Sequence, residues 1–455
     1  MDSLVGDCLY LIASFLKRRR DLLSFASSNR KNRISALKVL KRLPVSSRGG
    51  KFHYPFGFYG KHGFENICLT RPLPSPSSYD EPTTWAVSLK ELALDSADIS
   101  TIPQLMGKAT ALKRLAIKSN SYPLVLPYLT QLEELEIHIQ ATFDGLINLG
   151  HLSGLKKLNI SRSEVRGHDM CHFRNILDLD LSGIAFLNDA NLDLLTGVKR
   201  LALSSTNIVG ETLSGLTGLT SLDISKCFSY DLISNPISRL TGLLELNVSL
   251  LEFSYRHIEA LTNLTNLNVN HCAYFYASSF STFSNLLKIS TQHTLSLQAP
   301  LGVSALRILD ISDCCFNASD FKSLCGLRHL VDLKMDRSLQ AATDGVSCFS
   351  VSLDVNISFP STLQSLSLSD CHWLTEAVAA RCLSGLTRLR LLNLSFIKIN
   401  ADFLLDQEDF GSLETLLCYS RDFIPILNKM SAEILRLRGV EVFVGIRTPE
   451  SGCEM

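Results

Sequence analysis

At 455 residues the chain exceeds the size at which one hydrophobic core stops growing, so it is either several domains or one elongated repeat array. Its 46% hydrophobic and 19% charged residues exclude a disordered polymer, and a formal net charge of 0 argues against a generic nucleic-acid or anionic-membrane binder. That neutral average hides an asymmetry: residues 1–50 hold eleven Lys or Arg against Asp2, Asp7 and Asp21, a balance of +8 that leaves −8 for the remainder. Thirteen cysteines, an odd number with no secretory signal before them, suit a reduced chain of the cytoplasm or nucleus better than a disulfide framework. The uncharged window 260–287 is too rich in Asn to span a membrane.

In chain order, residues 1–43 read as two or three short amphipathic helices. Leu9, Ile12, Phe15 and Leu16 recur at helical spacing, a basic run Lys17–Arg20 follows, and Asp21 is placed to cap a second helix carrying Leu22, Leu23 and Phe25. The opening Leu4 with Asp7, the LIASFL segment and the DLLSFASSNR segment together resemble an F-box, the helical motif that docks on the Skp adaptor of cullin-RING ubiquitin ligases. Val5 stands where that family usually has Pro, and its late Trp is absent. The resemblance implies that Leu4, Leu9, Ile12, Phe15, Leu16, Leu22, Leu23 and Phe25 form the adaptor-binding surface; the alternative is a helical cap on the first repeat of a solenoid. Residues 44–84, with FHYPFGFYGKHGF and RPLPSPSSYDEPTT, read as junction and linker.

From residue 85 to 445 a segment L-x-x-L-x-L returns about every 23 residues. Its opening positions are Leu89, Leu112, Leu132, Leu155, Ile176, Val198, Leu219, Leu243, Leu264, Leu286, Leu306, Leu330, Leu363, Leu389 and Leu413, with a last turn expected at Ile434. Side chains alternate along a strand, so within LDIS at Leu222–Ser225 the apolar Leu222 and Ile224 face one way, Asp223 and Ser225 the other. Between strands, LSGLTGL and IEALTNL step by three residues, the period of a helical or 3-10 return segment. Eight residues after the opening leucine stand Asn120, Thr206, Cys227, Cys272, Cys314 and Cys371, small side chains able to donate a hydrogen bond at the corner.

Period and pattern resemble the leucine-rich-repeat family. The resemblance implies an α/β solenoid, a horseshoe of about fifteen or sixteen repeats with a parallel sheet on the concave side and short helical or 3-10 segments outside. The stretch 339–362, where two openings lie 33 residues apart, is an expected insertion, and residues 446–455 a C-terminal tail.

No Gly-rich phosphate loop, G-x-S-x-G, H-E-x-x-H or C-x-x-C pair occurs, so neither catalysis nor a metal or other cofactor is expected. The expected work is protein binding by a monomer: an adaptor and cullin complex at the N-terminus, a protein substrate on the concave face, no nucleic acid, no membrane. A recognition scaffold without any ligase is the alternative. The outward strand positions Asp178, Asp180, Arg200, Ser221, Asp223, Glu245, Asn247, Asn266, Asn268, Asn270, Asp310, Asp332 and Lys334 are the candidate contacts. Carboxylates outnumber bases among them, so a basic or donor-rich partner patch is expected.

Overall fold

The computed structural model describes residues 45–46, 66–69, 89–95, 109–119, 129–139, 149, 151–163, 170–171, 173, 175–185, 187, 192–227, 236–272, 282–293, 303–316, 324–340, 358–400, 404, 411–420, 427 and 429–446. The expected adaptor-binding helices of residues 1–43, Asn120 of the corner series and most of the expected insertion lie outside these residues. The chain divides into two compact units, Met1–Ile208 and Val209–Met455.

In the first unit, strands β1 (Val45–Ser46), β2 (Asn66–Leu69), β3 (Glu91–Asp95), β4 (Arg114–Ser119), β5 (Glu134–Ile139), β6 (Lys157–Asn159), β7 (Asp178–Asp180) and β8 (Arg200–Ala202) form a parallel ladder, each paired with the next in sequence. In the second, the ladder runs β9 (Ser221–Asp223), β10 (Glu245–Asn247), β11 (Asn266–Asn268), β12 (Lys288–Ser290), β13 (Ile308–Asp310), β15 (Asp332–Lys334), β17 (Ser365–Ser367), β18 (Leu391–Asn393), β19 (Thr415–Ser420) and β20 (Glu441–Ile446). Also within the second unit, β14 (Cys315–Phe316) pairs with β16 (Leu339–Gln340), a small separate ladder where the sequence led us to expect the insertion to begin.

Both ladders have the leucine-rich-repeat fold, and its cause is visible in one repeat. Leu264, Leu267 and Val269 are fully or almost fully buried, whereas Asn266 and Asn268 between them face outward in a buried-outward alternation. Burying such a side chain is worth roughly 1.5–3 kcal/mol each as an upper bound. The return segments obey the three-residue step: Leu216 N–H donates to Leu213 O and Leu219 N–H to Leu216 O, while Leu261 and Leu264 repeat the pattern from Ile258 and Leu261. Short 3-10 turns (Leu192–Leu194, Glu211–Gly215, Pro236–Arg239, Tyr255–His257) and two helices, α1 (Glu376–Leu383) and α2 (Lys429–Leu437), occupy this position. The repeat at Leu286, weak in sequence, is regular: Leu286 is fully buried and β12 pairs on both sides.

Two expectations are corrected. Ile434 does not open a strand, since it lies in α2 and Leu437 is 82% exposed while Leu435 is buried. The spacing L-x-x-L suits a helix as well as a strand, and the register of β19 against β20 places the last strand at Glu441 instead. Ser225 does not stand beside Asp223 on the free face, because the strand stops at Asp223 and the chain turns, leaving Ser225 buried.

That turn is a repeated device. Seven residues after the opening leucine the backbone takes a left-handed conformation, at Arg162, Gly183 and Ser205 in the first unit and at Lys226, Leu250, His271, His293, Asp313, Arg337, Asp370 and Phe396 in the second. Only Gly183 is the residue that adopts it freely; elsewhere the strain is about 1 kcal/mol or more per site. It is offset by a bond to the following repeat: Lys226 N–H reaches Ser249 O at 3.0 Å, Leu250 N–H reaches Asn270 O at 2.9 Å and His271 N–H reaches Gln292 O at 2.7 Å.

Candidate partner-binding face

Each three-residue strand offers the free face two side chains, its first and third, and the structure assigns them different work. Third-position Asp and Asn side chains turn back on their own chain. Asp180 Oδ1 accepts Ser182 N–H at 2.9 Å, Asp223 Oδ1 accepts Ser225 N–H at 2.9 Å, and Asp310 Oδ1 accepts Ser312 N–H at 3.1 Å. Asn247, Asn268 and Asn393 do the same for Ser249, Asn270 and Ser395. Short Asp and Asn side chains are suited to this because they reach a backbone N–H two residues on. The second oxygens of Asp223 and Asp310 are also engaged: Asp223 Oδ2 accepts from Asn247 Nδ2 at 2.9 Å, and Asp310 Oδ2 from Gln292 Nε2 at 2.7 Å. Asn270, just past the strand, accepts Ser290 Oγ at 2.7 Å and Gln292 N–H at 2.8 Å. These residues line the face but are committed to holding the corner.

The corner itself is closed from behind. Cys272 Sγ donates to Val248 O at 3.2 Å, Cys314 Sγ to Thr291 O at 2.9 Å and Cys371 Sγ to Met335 O at 2.9 Å, each a carbonyl of the preceding repeat. Thr206 Oγ1 donates to Leu203 O within its own repeat at 2.6 Å. Ser163 and Ser338 hold the same place and bond Ile160 O and Met335 O; the sequence reading passed over both, although the count of eight from Leu155 and Leu330 would have found them. Burial pushes the Cys272 thiol up to about 11 and the Cys371 thiol to about 12, so both are inert donors rather than nucleophiles or metal ligands.

First-position side chains differ between units. In the first unit they read Glu91, Arg114, Glu134, Lys157, Asp178 and Arg200, aligned strand to strand in alternating charge. Arg114 bridges Glu91 at 2.5 Å and Glu134 at 3.0 Å, and Lys157 lies 3.8 Å from Asp178. The hydrogen bond and charge of Glu134, with those of Glu91, raise the Arg114 guanidinium above its ordinary range. Asp178, expected as a contact, is thus paired within its own column.

In the second unit the corresponding column reads Ser221, Glu245, Asn266, Lys288, Ile308 and Asp332. It lines a groove of about 470 Å³ that also takes in Asp223, Asn247, Asn268, Asn270, Asp310 and Lys334, so the structure brings together the expected contacts from Ser221 to Lys334. Lys288, Ile308, Ser290 and Gln292 also line it and were missed, though the first three occupy the same strand positions as residues that were singled out. Glu245 accepts only a 3.3 Å bond from Asn266 among the described residues. Asp332 Oδ1 is shielded from solvent and receives no hydrogen bond among them, and Ile308 is 37% exposed.

Among the described residues no helix is long and apolar enough to cross a membrane, and no group of three or more His, Cys, Asp or Glu side chains is arranged to hold a metal ion. No family model and no curated protein matches the chain. Among solved structures it is similar to an internalin of Listeria monocytogenes, with 19% identity and a TM-score of 0.49 over 70% of this chain and 93% of that one. It is also similar to a leucine-rich-repeat protein of Leptospira interrogans (16% identity, TM-score 0.45, 83% and 95%) and to TLR13 in its complex with ssRNA13 (16%, 0.44, 84% and 74%). The fold assignment stands on the parallel ladders described above.

Proposed function

We propose that this protein is a non-catalytic recognition subunit that holds a protein partner in the groove formed by β9 to β15. The observation that carries this reading is the contrast between the two first-position columns: one neutralises itself, the other presents Glu245, Lys288, Ile308 and Asp332 without internal partners of opposite charge among the described residues. Charges in this row have no internal counter-charge among the described residues, so a ligand that brings complementary charges in the same order is favoured. The expected contacts Asp223, Asn247, Asn268 and Asp310 serve this site as its rigid frame, Asn270 ties neighbouring repeats, and Asp178, Asp180 and Arg200 belong to the first unit.

The N-terminal resemblance supplies the finer reading, that residues 1–43 dock a Skp-type adaptor and the partner in the groove is a substrate for ubiquitination by a cullin complex. On that reading residues 1–43 dock the adaptor ahead of a ladder whose first strands, β1 and β2, lie within residues 44–84, and no step of ubiquitin transfer falls to this chain. A scaffold without ligase association fits the groove equally and differs only in residues 1–43.

Two measurements separate these readings. A photo-crosslinking residue placed at Lys288 in the full chain should capture a defined protein that one placed at Glu91 does not; equal capture at both sites removes the groove from the proposal. The full chain should co-purify a Skp-type adaptor, and Leu9→Asp or Leu23→Asp should abolish this by placing a charge in an apolar contact. Failure to recover an adaptor leaves the scaffold reading.

A further inference from the structure

We infer that the groove's occupant is an extended polypeptide lying across the strands with a fixed order of side chains: basic, acidic, apolar, basic, at every second residue. This rests on the binding role proposed above and specifies its ligand. The ruler is the ladder itself. Glu245, Asn266, Lys288, Ile308 and Asp332 are successive Cα partners, so each lies about 4.8 Å from the next. Glu245 and Asp332 are therefore about 19 Å apart along the column, and Ile308 about 14 Å from Glu245.

An extended peptide advances about 3.3 Å per residue and turns every second side chain to the same face. A side chain facing Glu245 at position i is matched at Asp332 by position i+6, about 20 Å on, and at Ile308 by position i+4, about 13 Å on. Lys288 lies about 10 Å from Glu245, within reach of position i+2 through its flexible stem. The chemistry at each point is set by the wall. Glu245 and the Asp332 carboxylate call for cationic donors, Lys288 for a carboxylate, and the 37% exposed Ile308 for an aliphatic side chain. Arginine suits the ends best, since its planar fork offers several donors to one carboxylate. Asp223 and Asp310 do not contribute a second basic site, because both oxygens of each are already engaged.

The direct test is fluorescence anisotropy of the full-length protein with three blocked, labelled heptapeptides. One is Arg-Ser-Asp-Ser-Leu-Ser-Arg; the second is a permutation of equal charge, Arg-Ser-Leu-Ser-Arg-Ser-Asp; the third is the charge-reversed Glu-Ser-Lys-Ser-Leu-Ser-Glu. The ordered peptide should bind at least tenfold more tightly than either control. Glu245→Gln with Asp332→Asn should remove that preference at an unchanged melting temperature, and Glu245→Lys, Lys288→Glu and Asp332→Lys together should transfer it to the reversed peptide. Equal binding of the ordered and permuted peptides, or no binding of the ordered one at millimolar concentration, overturns the inference. Because crosslinking from Lys288 reports partner capture without any assumption about sequence order, a lost peptide preference with retained crosslinking discards this ligand and leaves the binding role intact.

Discussion

The two units use the same strand geometry for opposite ends. Along β3 to β8 the first-position column alternates in sign at every step, Glu91 to Arg200, and Glu91–Arg114, Arg114–Glu134 and Lys157–Asp178 bridge one another. Along β9 to β15 the same column mixes a hydroxyl, two acids, an amide, a lysine and an isoleucine, and its charges find little within the unit. On the reading proposed above, the order of charges along the column, rather than charge content, marks the binding face. A strictly alternating row is a finished surface, whereas an irregular row lining a groove is an unfinished one. In both units the third-position Asp and Asn side chains are spent on backbone turns, which separates holding the fold from reading a ligand within a strand of three residues.

That separation can be broken by substitution. The largest expected effect is at the corner: Cys272 is fully buried with its thiol on Val248 O, so Cys272→Leu should cost about 1–3 kcal/mol by overpacking, while Cys272→Ser costs less. Thermal melting checks this, and equal melting temperatures for all three proteins would mean the corner is not packed as described. Next, Asp223→Ala should cost about 1–2 kcal/mol, because Ser225 N–H, Ser225 Oγ and Asn247 Nδ2 all lose an acceptor. In chemical denaturation this should appear as a lower midpoint, and wild-type stability would show that the third column is dispensable.

The first unit should respond more weakly. Its bridges are half exposed, so Arg114→Ala should cost no more than about 1 kcal/mol, and the loss should shrink as salt is raised. A salt-independent loss would point to packing of the arginine stem instead. Acid offers a gentler comparison. Burial holds His257 and His271 below the ordinary histidine range, so the folded second unit prefers them neutral. Their contribution is present above about pH 6.5 and is lost as pH falls below it. Hydrogen exchange should therefore rise in residues 254–272 between pH 7 and pH 5.5, with β4 as the reference segment; a uniform rise across both would set the histidines aside.

Much of this was legible in the sequence because repetition amplifies weak signals. One L-x-x-L-x-L segment says little, but fifteen in register fixed the strands, the three-residue return steps at Leu213–Leu219 and Ile258–Leu264, and the buried corner at Cys227, Cys272, Cys314 and Cys371. What escaped were matters of where the strand stops. Alternation extended past Asp223 put Ser225 on the free face, whereas the left-handed residue Lys226 turns the chain there and buries it. Nothing in the residue type warned of this, since among the described residues ten that are not glycine take that conformation. The same blindness grouped Asp223 and Asp310 with Glu245 and Asp332 as equal contacts, because a sequence shows that a carboxylate faces outward but not that both its oxygens are already bonded. Ile434 failed for a different reason, its spacing being shared by helix and strand.

The central claim is that in the second unit the first column reads the partner and the third column holds the fold. Its most direct measurement is the affinity of the partner crosslinked at Lys288, determined by calorimetry for the wild type, Asp332→Asn and Asp223→Ala, with melting recorded on the same samples. Asp332 Oδ1 receives no hydrogen bond among the described residues, so Asp332→Asn should lower affinity at least tenfold while leaving the melting temperature within about 1 °C, the shift expected of a near-neutral substitution. Asp223→Ala should lower the melting temperature. Wild-type affinity in Asp332→Asn, or a loss of stability matching that of Asp223→Ala, would contradict the division of labour between the two columns.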